Sequence, residues 1–330
     1  MFVIIGYIIV FSSVIGGFLL AGGHVAALIQ PAEFIIIVGA AVGAFITAHG
    51  GAPMKAIFAA IPGAFKASRY NKALYMELFA LLYELLSKVR KEGLMSIEAD
   101  VDDPQNSPIF SKYPIVVDDH VVIEFLCDYL RLMVGGNLNP FEIENLMDIE
   151  IETHHSEGAM PVNALARMAD SLPAYGIVAA VMGVVHTMES VGVPPAELGR
   201  LIAAALVGTF LGILISYGFV SPLSTRLEHR LNDVHRVLQC VKVTLLASLN
   251  GYAPPVAVEF GRKALNSEDR PGFLELEEHL KKAQRRSLIA VETRQESWQT
   301  NLNALLLSSA SRRAMATTMA APGRLPTPTL

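Results

Sequence analysis

The sequence predicts an all-α, polytopic membrane protein with four transmembrane helices and a helical cytoplasmic head. Three observations carry this reading. Apolar residues make up 52% of the chain and mean hydropathy is +0.42; soluble domains average ~45–50% apolar by a count that already includes Gly. The apolar residues gather in four stretches, Phe2–Leu20, Phe34–Ala48, Leu172–Val185 and Leu201–Phe219. Between the two pairs runs a charged segment whose apolar residues recur at helical spacing.

The first stretch carries no charge and is long enough to cross a bilayer, since about 20 residues at 1.5 Å each match a ~30 Å hydrocarbon core. It lacks a basic leader and a small-residue cleavage site, so it reads as a retained span. A Gly-rich link, Ala21–Ala32, follows. The second span begins near Phe34 and is free to run past His49, because Lys55 is the next charge. In the central segment, Leu74, Leu78, Leu81, Leu82 and Leu85 make one helical stripe. Val121–Met133 repeats that pattern. Asn139-Pro140-Phe141-Glu142 is a helix start, with Asn as N-cap, Pro first and Glu third; Gly135-Gly136 and Pro161 bound that element. Glu275–Arg286 reads as a charged helix, and the Pro-rich Ala320–Leu330 as disordered.

Basic residues flank one end of each pair: Lys55, Lys66, Arg69 and Lys72 after span 2, Arg167 before span 3, and Arg226 and Arg230 after span 4. The positive-inside rule then puts both short links outside and both termini in the cytoplasm. Arg200, at the outer start of span 4, is the one exception. The chain divides into residues 1–50 (spans 1 and 2 with a periplasmic link), 51–168 (helical head), 169–221 (spans 3 and 4) and 222–330. The last part is a cytoplasmic tail, helical and then disordered from about residue 287.

Several function classes are excluded. A net charge of −5 argues against nucleic acid. Phosphate-binding loops, dinucleotide fingerprints and hydrolase motifs are absent, so no enzyme is indicated. Cys127 and Cys240 fit no metal or disulfide spacing. His154-His155 reads as a solvated loop, since adjacent helical side chains diverge by ~100° and serve one metal ion poorly. Pro173 reads as a first-turn proline and Pro222 as one just past a helix. Arg90 and Glu98 read as solvated charges. Thr209, deep in span 4, reads either as a hydroxyl bonded back one turn or as a lining group of a path. No span has a carboxylate near its middle, where ion-moving proteins usually place one. The titrating group therefore either belongs to another chain or is not needed.

Taken together, the residues resemble the flagellar stator A subunit family (MotA), within the MotA/TolQ/ExbB proton channel superfamily. The resemblance runs from Met1 to about His279. It is carried by Gln30-Pro31-Ala32-Glu33, Asp128-Tyr129-Leu130-Arg131-Leu132, Phe141-Glu142-Ile143-Glu144, the run from Asp170 to Gly183, Val207-Gly208-Thr209-Phe210-Leu211-Gly212, Asn250-Gly251-Tyr252-Ala253-Pro254-Pro255 and Val258-Glu259-Phe260-Gly261-Arg262-Lys263.

The resemblance implies a ring of A subunits, a pentamer around a B dimer. The B subunit supplies the membrane aspartate and binds peptidoglycan. The assembly sits in the bacterial inner membrane and turns ion flow into torque on the rotor switch protein. Arg90 and Glu98 match rotor-contact positions, with Glu150 and Asp128 as weaker matches. Pro173 and Pro222 match conformation-coupling prolines, and Thr209 and Ala180 match positions near the ion path. Ala180 in place of Thr favours a proton over sodium. No cofactor or bound metal is implied. The competing readings are an energising subunit of an outer-membrane transport system, which typically has three spans, and a non-conducting membrane scaffold.

Overall fold

In the computed structural model, residues 2–136, 139–190, 192–283 and 285 are described. They are predominantly helical, with no strand among them. Residues 2–270 form one compact unit, and those from Pro271 on belong to a second.

Helix α1 (Phe2–Leu20) lies at the periphery, with Ile4, Ile8, Ile9, Phe11 and Leu20 exposed. Such an apolar surface belongs against lipid or another chain, not water. A single 3-10 turn, Val25–Leu28, joins it to α2 (Pro31–His49), which opens on Pro31 as its first residue. The second span does not continue past His49. Gly50 takes φ +63° and breaks the helix, and a separate helix, α3 (Gly51–Phe65), begins. Positive φ is open to glycine at little cost, so the stop is local.

The head is built on α4 (Lys72–Glu92), capped by the Asn71 side chain, which accepts from the Ala73 and Leu74 amides. Nine of its residues are buried, including the predicted stripe Leu74, Leu78, Leu81, Leu82 and Leu85. At ~1.5–3 kcal/mol for each fully buried large apolar side chain, this face dominates the stability of the head. Two short helices, α5 (Glu98–Asp102) and α6 (Pro114–Val117), connect α4 to α7 (His120–Gly135). Gly136 closes α7 in the left-handed conformation.

Helix α8 runs without interruption from Pro140 to Glu189, 50 residues, and begins with the predicted capping box of Asn139 and Glu142. Pro161 does not end it, and Pro173 lies deep inside it rather than in a first turn. The head and the third span are therefore parts of one helix, continuous across residue 168. Helix α9 (Pro195–Ile215), a π-helical turn (Ser216–Val220) and α10 (Ser221–Leu249) form a second long rod packed against α8. Pro222 falls in the first turn of α10, inside that rod rather than beyond its end. The short α11 (Pro254–Lys263) packs on α4 and α10.

Four helices are long and apolar enough to cross a membrane: α1, α2, the C-terminal part of α8, and α9. Ile37 and Ala41 of α2 pack with Leu172 and Ala179 of α8. Ala64 of α3 packs with Val162, Leu165 and Leu227. In the second unit, residues 273–283 are helical, starting slightly before the predicted Glu275. Lys281 and Lys282 there pair with Glu277 and Glu278 at 2.7 Å each. The predicted disordered end, with Trp298 and Arg312-Arg313, lies outside the described residues.

Candidate ion path and coupling seam

The third and fourth spans meet where their side chains are smallest. A Cβ on Gly176 would lie 2.9 Å from the Gly208 carbonyl oxygen, and one on Gly212 would lie 2.8 Å from the Leu172 carbonyl oxygen. Two helix backbones thus touch directly, the contact that small residues allow in membrane helices. Ala180 belongs to this seam, its amide nitrogen 3.1 Å from where a Gly208 side chain would start. Thr209 is the next residue along and is half-buried.

Thr209 differs from the other helical threonines. Thr47, Thr153, Thr187, Thr225 and Thr244 each donate to the carbonyl four residues earlier, at 2.7–3.2 Å. Thr209 has no hydrogen-bond partner among the described residues. Of the two readings of this hydroxyl, the back-bonded one is not observed.

Pro173 lies at the head end of the seam, and Pro222 further along the opposing rod. Pro173 has no N–H, so the carbonyl of Ala169 loses its helical donor. Ser216, on the π turn of the opposing rod, fills that place: its buried hydroxyl donates to Ala169 O at 2.6 Å. Pro222 likewise deprives Gly218 of a donor, and the π turn directly precedes it, as expected where a helical ladder is interrupted. Tyr7 of α1 secures the same turn by donating to Phe219 O at 2.7 Å, its ring 5.0 Å from that of Phe219. Further into the head, Ser224 donates to Val162 O at 2.9 Å. Hydroxyl-to-carbonyl bonds thus join the two rods on the head side of the seam.

The four charged candidates lie on the head surface, all exposed. Arg90, in the last turn of α4, donates to the Gly251 carbonyl at 3.0 Å. Glu98 is the first residue of α5 and forms no bond among the described residues. Asp128 pairs with Arg131 at 2.7 Å; Arg131 also reaches Asp102 at 3.3 Å and Val101 O at 2.8 Å, tying α7 to α5. Glu150 accepts from Tyr129 at 2.7 Å. Burial, with this carboxylate beside it, pushes the Tyr129 hydroxyl above its ordinary range. Glu150 is therefore engaged in holding α8 to α7, Asp128 orients the Arg131 that ties α7 to α5, Arg90 is anchored, and Glu98 is open.

His154 and His155 lie on α8, not in a loop. His155 meets His235 of α10 edge to face, ring centroids 5.1 Å apart, and sits 3.4 Å from Asn232 Oδ1. No cluster of three metal-ligating side chains occurs among the described residues. Both cysteines are buried; burial pushes the Cys127 thiol up to about 11, and raises that of Cys240 as well.

Residues 4–93 match the motility protein A N-terminal family, and residues 118–239 match the MotA/TolQ/ExbB proton channel family. Motility protein A of Salmonella typhimurium is 55% identical over 281 residues, covering 85% of this chain and 95% of the relative. The chain belongs to the motility protein A family. The chemotaxis protein LafT of Vibrio parahaemolyticus is 37% identical over 276 residues, covering 84% of this chain and 97% of LafT. Among solved structures, the flagellar MotAB stator complex of Bacillus subtilis matches with a TM-score of 0.68 at 27% identity, over 81% of this chain and 96% of that one. The C. jejuni MotAB structure matches in fold, with a TM-score of 0.69 at 21% identity over 82% and 98%. Membership makes this chain a membrane protein and a stator subunit of the flagellar motor, in a proton channel family.

Within the family assignment, the seam gathers Ala180 and Thr209; Pro173 lies at its head end, beside Leu172, and Pro222 lies further along the opposing rod toward the head. Arg90 and Glu98 lie apart from them on the head surface. Sequence reasoning missed Ser216 and Tyr7. The only available signal for Ser216 was a hydroxyl near the end of an apolar span, four residues N-terminal to Val220-Ser221-Pro222.

Proposed function

We propose that this chain forms the wall of a proton path whose titrating carboxylate comes from a single-span B subunit, and that it passes the resulting motion to its cytoplasmic head. The observation that carries the reading is the pairing of two features. The four apolar stretches contain no Asp, Glu, Lys or Arg, while the seam between two of them holds an unsatisfied hydroxyl, Thr209. A path built this way offers a polar wall but no relay of its own.

The similarity to the MotAB stator complexes of B. subtilis and C. jejuni supports a B partner. A ring of A subunits around the B helices would also cover the exposed apolar faces of α1, α2, α8 and α9. Pro173 and Pro222 act as bending points between wall and head, and Arg90 and Glu98 meet the rotor switch protein. Exposed charge contacts are worth only ~0–1 kcal/mol each, so such a contact forms and releases quickly, as stepping requires. The topology that follows is bacterial inner membrane with both termini cytoplasmic.

The test is proton flux in liposomes. Flux is expected only when the chain is reconstituted with a B subunit, and flux from this chain alone would refute the two-chain path. In cells, swimming should stop with a protonophore and persist without sodium; the reverse pattern identifies sodium as the ion.

A further inference from the structure

We infer that Ser216 is the positioning residue that joins the two proline bending points into one unit, an inference that rests on the coupling role given to Pro173 and Pro222 above. A proline inside a helix frees one carbonyl and weakens the rod locally. Left alone in an apolar span, that carbonyl would seek a different donor in each bent state. Here a single donor is preset. Ser216 is fully buried, and its hydroxyl lies 2.6 Å from Ala169 O.

The donor's position depends on the second proline's rod. Ser216 opens the π turn that leads into Ser221-Pro222, and α1 braces this turn through Tyr7 and Phe219 O. Gly218 within the turn lets α1 approach, since a Cβ there would lie 3.1 Å from Val10 Cγ1. A change of winding at the π turn therefore moves Ser216, and through one hydrogen bond it moves the Pro173 bend. Without that bond the carbonyl freed by Pro173 loses its link to the π turn, and only packing and the Ser224–Val162 bond still join the two rods.

The experiment is hydrogen exchange of the α8 amides around residues 170–177, measured on the intact A–B complex in detergent, with swimming speed recorded in parallel. Ser216→Ala should speed this exchange about five-fold, the equivalent of one ordinary hydrogen bond. Ser216→Thr, which keeps the hydroxyl, should restore the original rate. The deciding measurement is the Pro173→Ala background, where residue 173 regains its N–H and can satisfy Ala169 O itself. There Ser216→Ala should have no effect on exchange. An equal acceleration in both backgrounds, or none in either, overturns the inference. Because exchange is read on purified complex, a failure of the stator reading would show in swimming and leave the exchange result interpretable.

Discussion

Arg90 donates to the carbonyl oxygen of Gly251 at 3.0 Å, across 161 positions of sequence. A residue that periodicity assigns to a solvated face is thereby held to the turn between α10 and α11. Gly251 has φ +85°, a conformation that costs other residues ~1–2 kcal/mol. The orientation of Arg90 thus depends on a glycine remote in sequence.

Reversing both head charges, Arg90→Glu with Glu98→Lys, should reduce swimming by at least half while leaving membrane insertion and B-subunit binding intact. Gly251→Ala should act in the same direction more weakly, lowering stability by about 1 kcal/mol. Swimming assays with co-purification check both. Normal swimming by the charge-reversed chain would remove the head contact from consideration.

At the seam, Gly176→Ala and Gly212→Ala each insert a methyl where no space exists. Overpacking of this kind costs ~1–3 kcal/mol. A lowered Tm of the solubilised complex, together with weaker proton flux, is expected. An unchanged Tm would mean that the two spans separate without cost.

Lys242 is buried on α10 and reaches Asp148 at 2.6 Å and Glu144 at 3.7 Å, both on α8. Asp148→Asn leaves one carboxylate and should be tolerated. Asp148→Asn with Glu144→Gln strands a buried ammonium, a loss of ~3–5 kcal/mol. Lys242→Met should be close to neutral, because it removes the charge and keeps the volume. Chemical denaturation of the head signal measures all three.

The head should lose stability on acidification. Burial, and then the neighbouring His155, hold the His235 pKa below its ordinary 6.5. A His depressed in the folded state binds its proton more readily when unfolded, so stability is full at high pH and falls as pH drops below ~6.5. His235→Asn should flatten the stability profile over that window. A profile that falls equally in the variant would assign the effect to other groups. Glu259 works in the same sense, since its bond to Arg262 holds it below the usual carboxylate range.

Local chemistry was legible where the cause is local. The apolar run of α1, the leucine stripe of α4 and the Asn139–Glu142 cap are each written within a few residues, and each is found. Elements stabilised by distant partners were not legible. Pro161 carries the usual mark of a helix end and Pro173 that of a helix start, yet α8 continues through both, and at Pro173 the displaced carbonyl finds its donor on another helix. His155 looked solvated because His235 and Asn232 are far away in sequence. Thr209 stood out as a hydroxyl deep in span 4, whereas Ala180 was found by resemblance to known proteins, and only the packing of α8 on α9 explains why they share a place. The end of the second span was not legible either, because Gly50 stops it through a φ of +63° and not through a charge.

The unbroken course of α8 sets a mechanical ratio. From Pro173 to Pro140 the helix spans 33 residues, about 50 Å at 1.5 Å per residue. A change of roughly 5° at the proline would then carry the far end through about 4 Å, comparable to one helical turn. On the coupling role proposed for Pro173, the displacement at the head scales with helix length, so shortening the segment between Asn139 and Pro173 by whole turns should shrink the stroke without altering the chemistry that drives it.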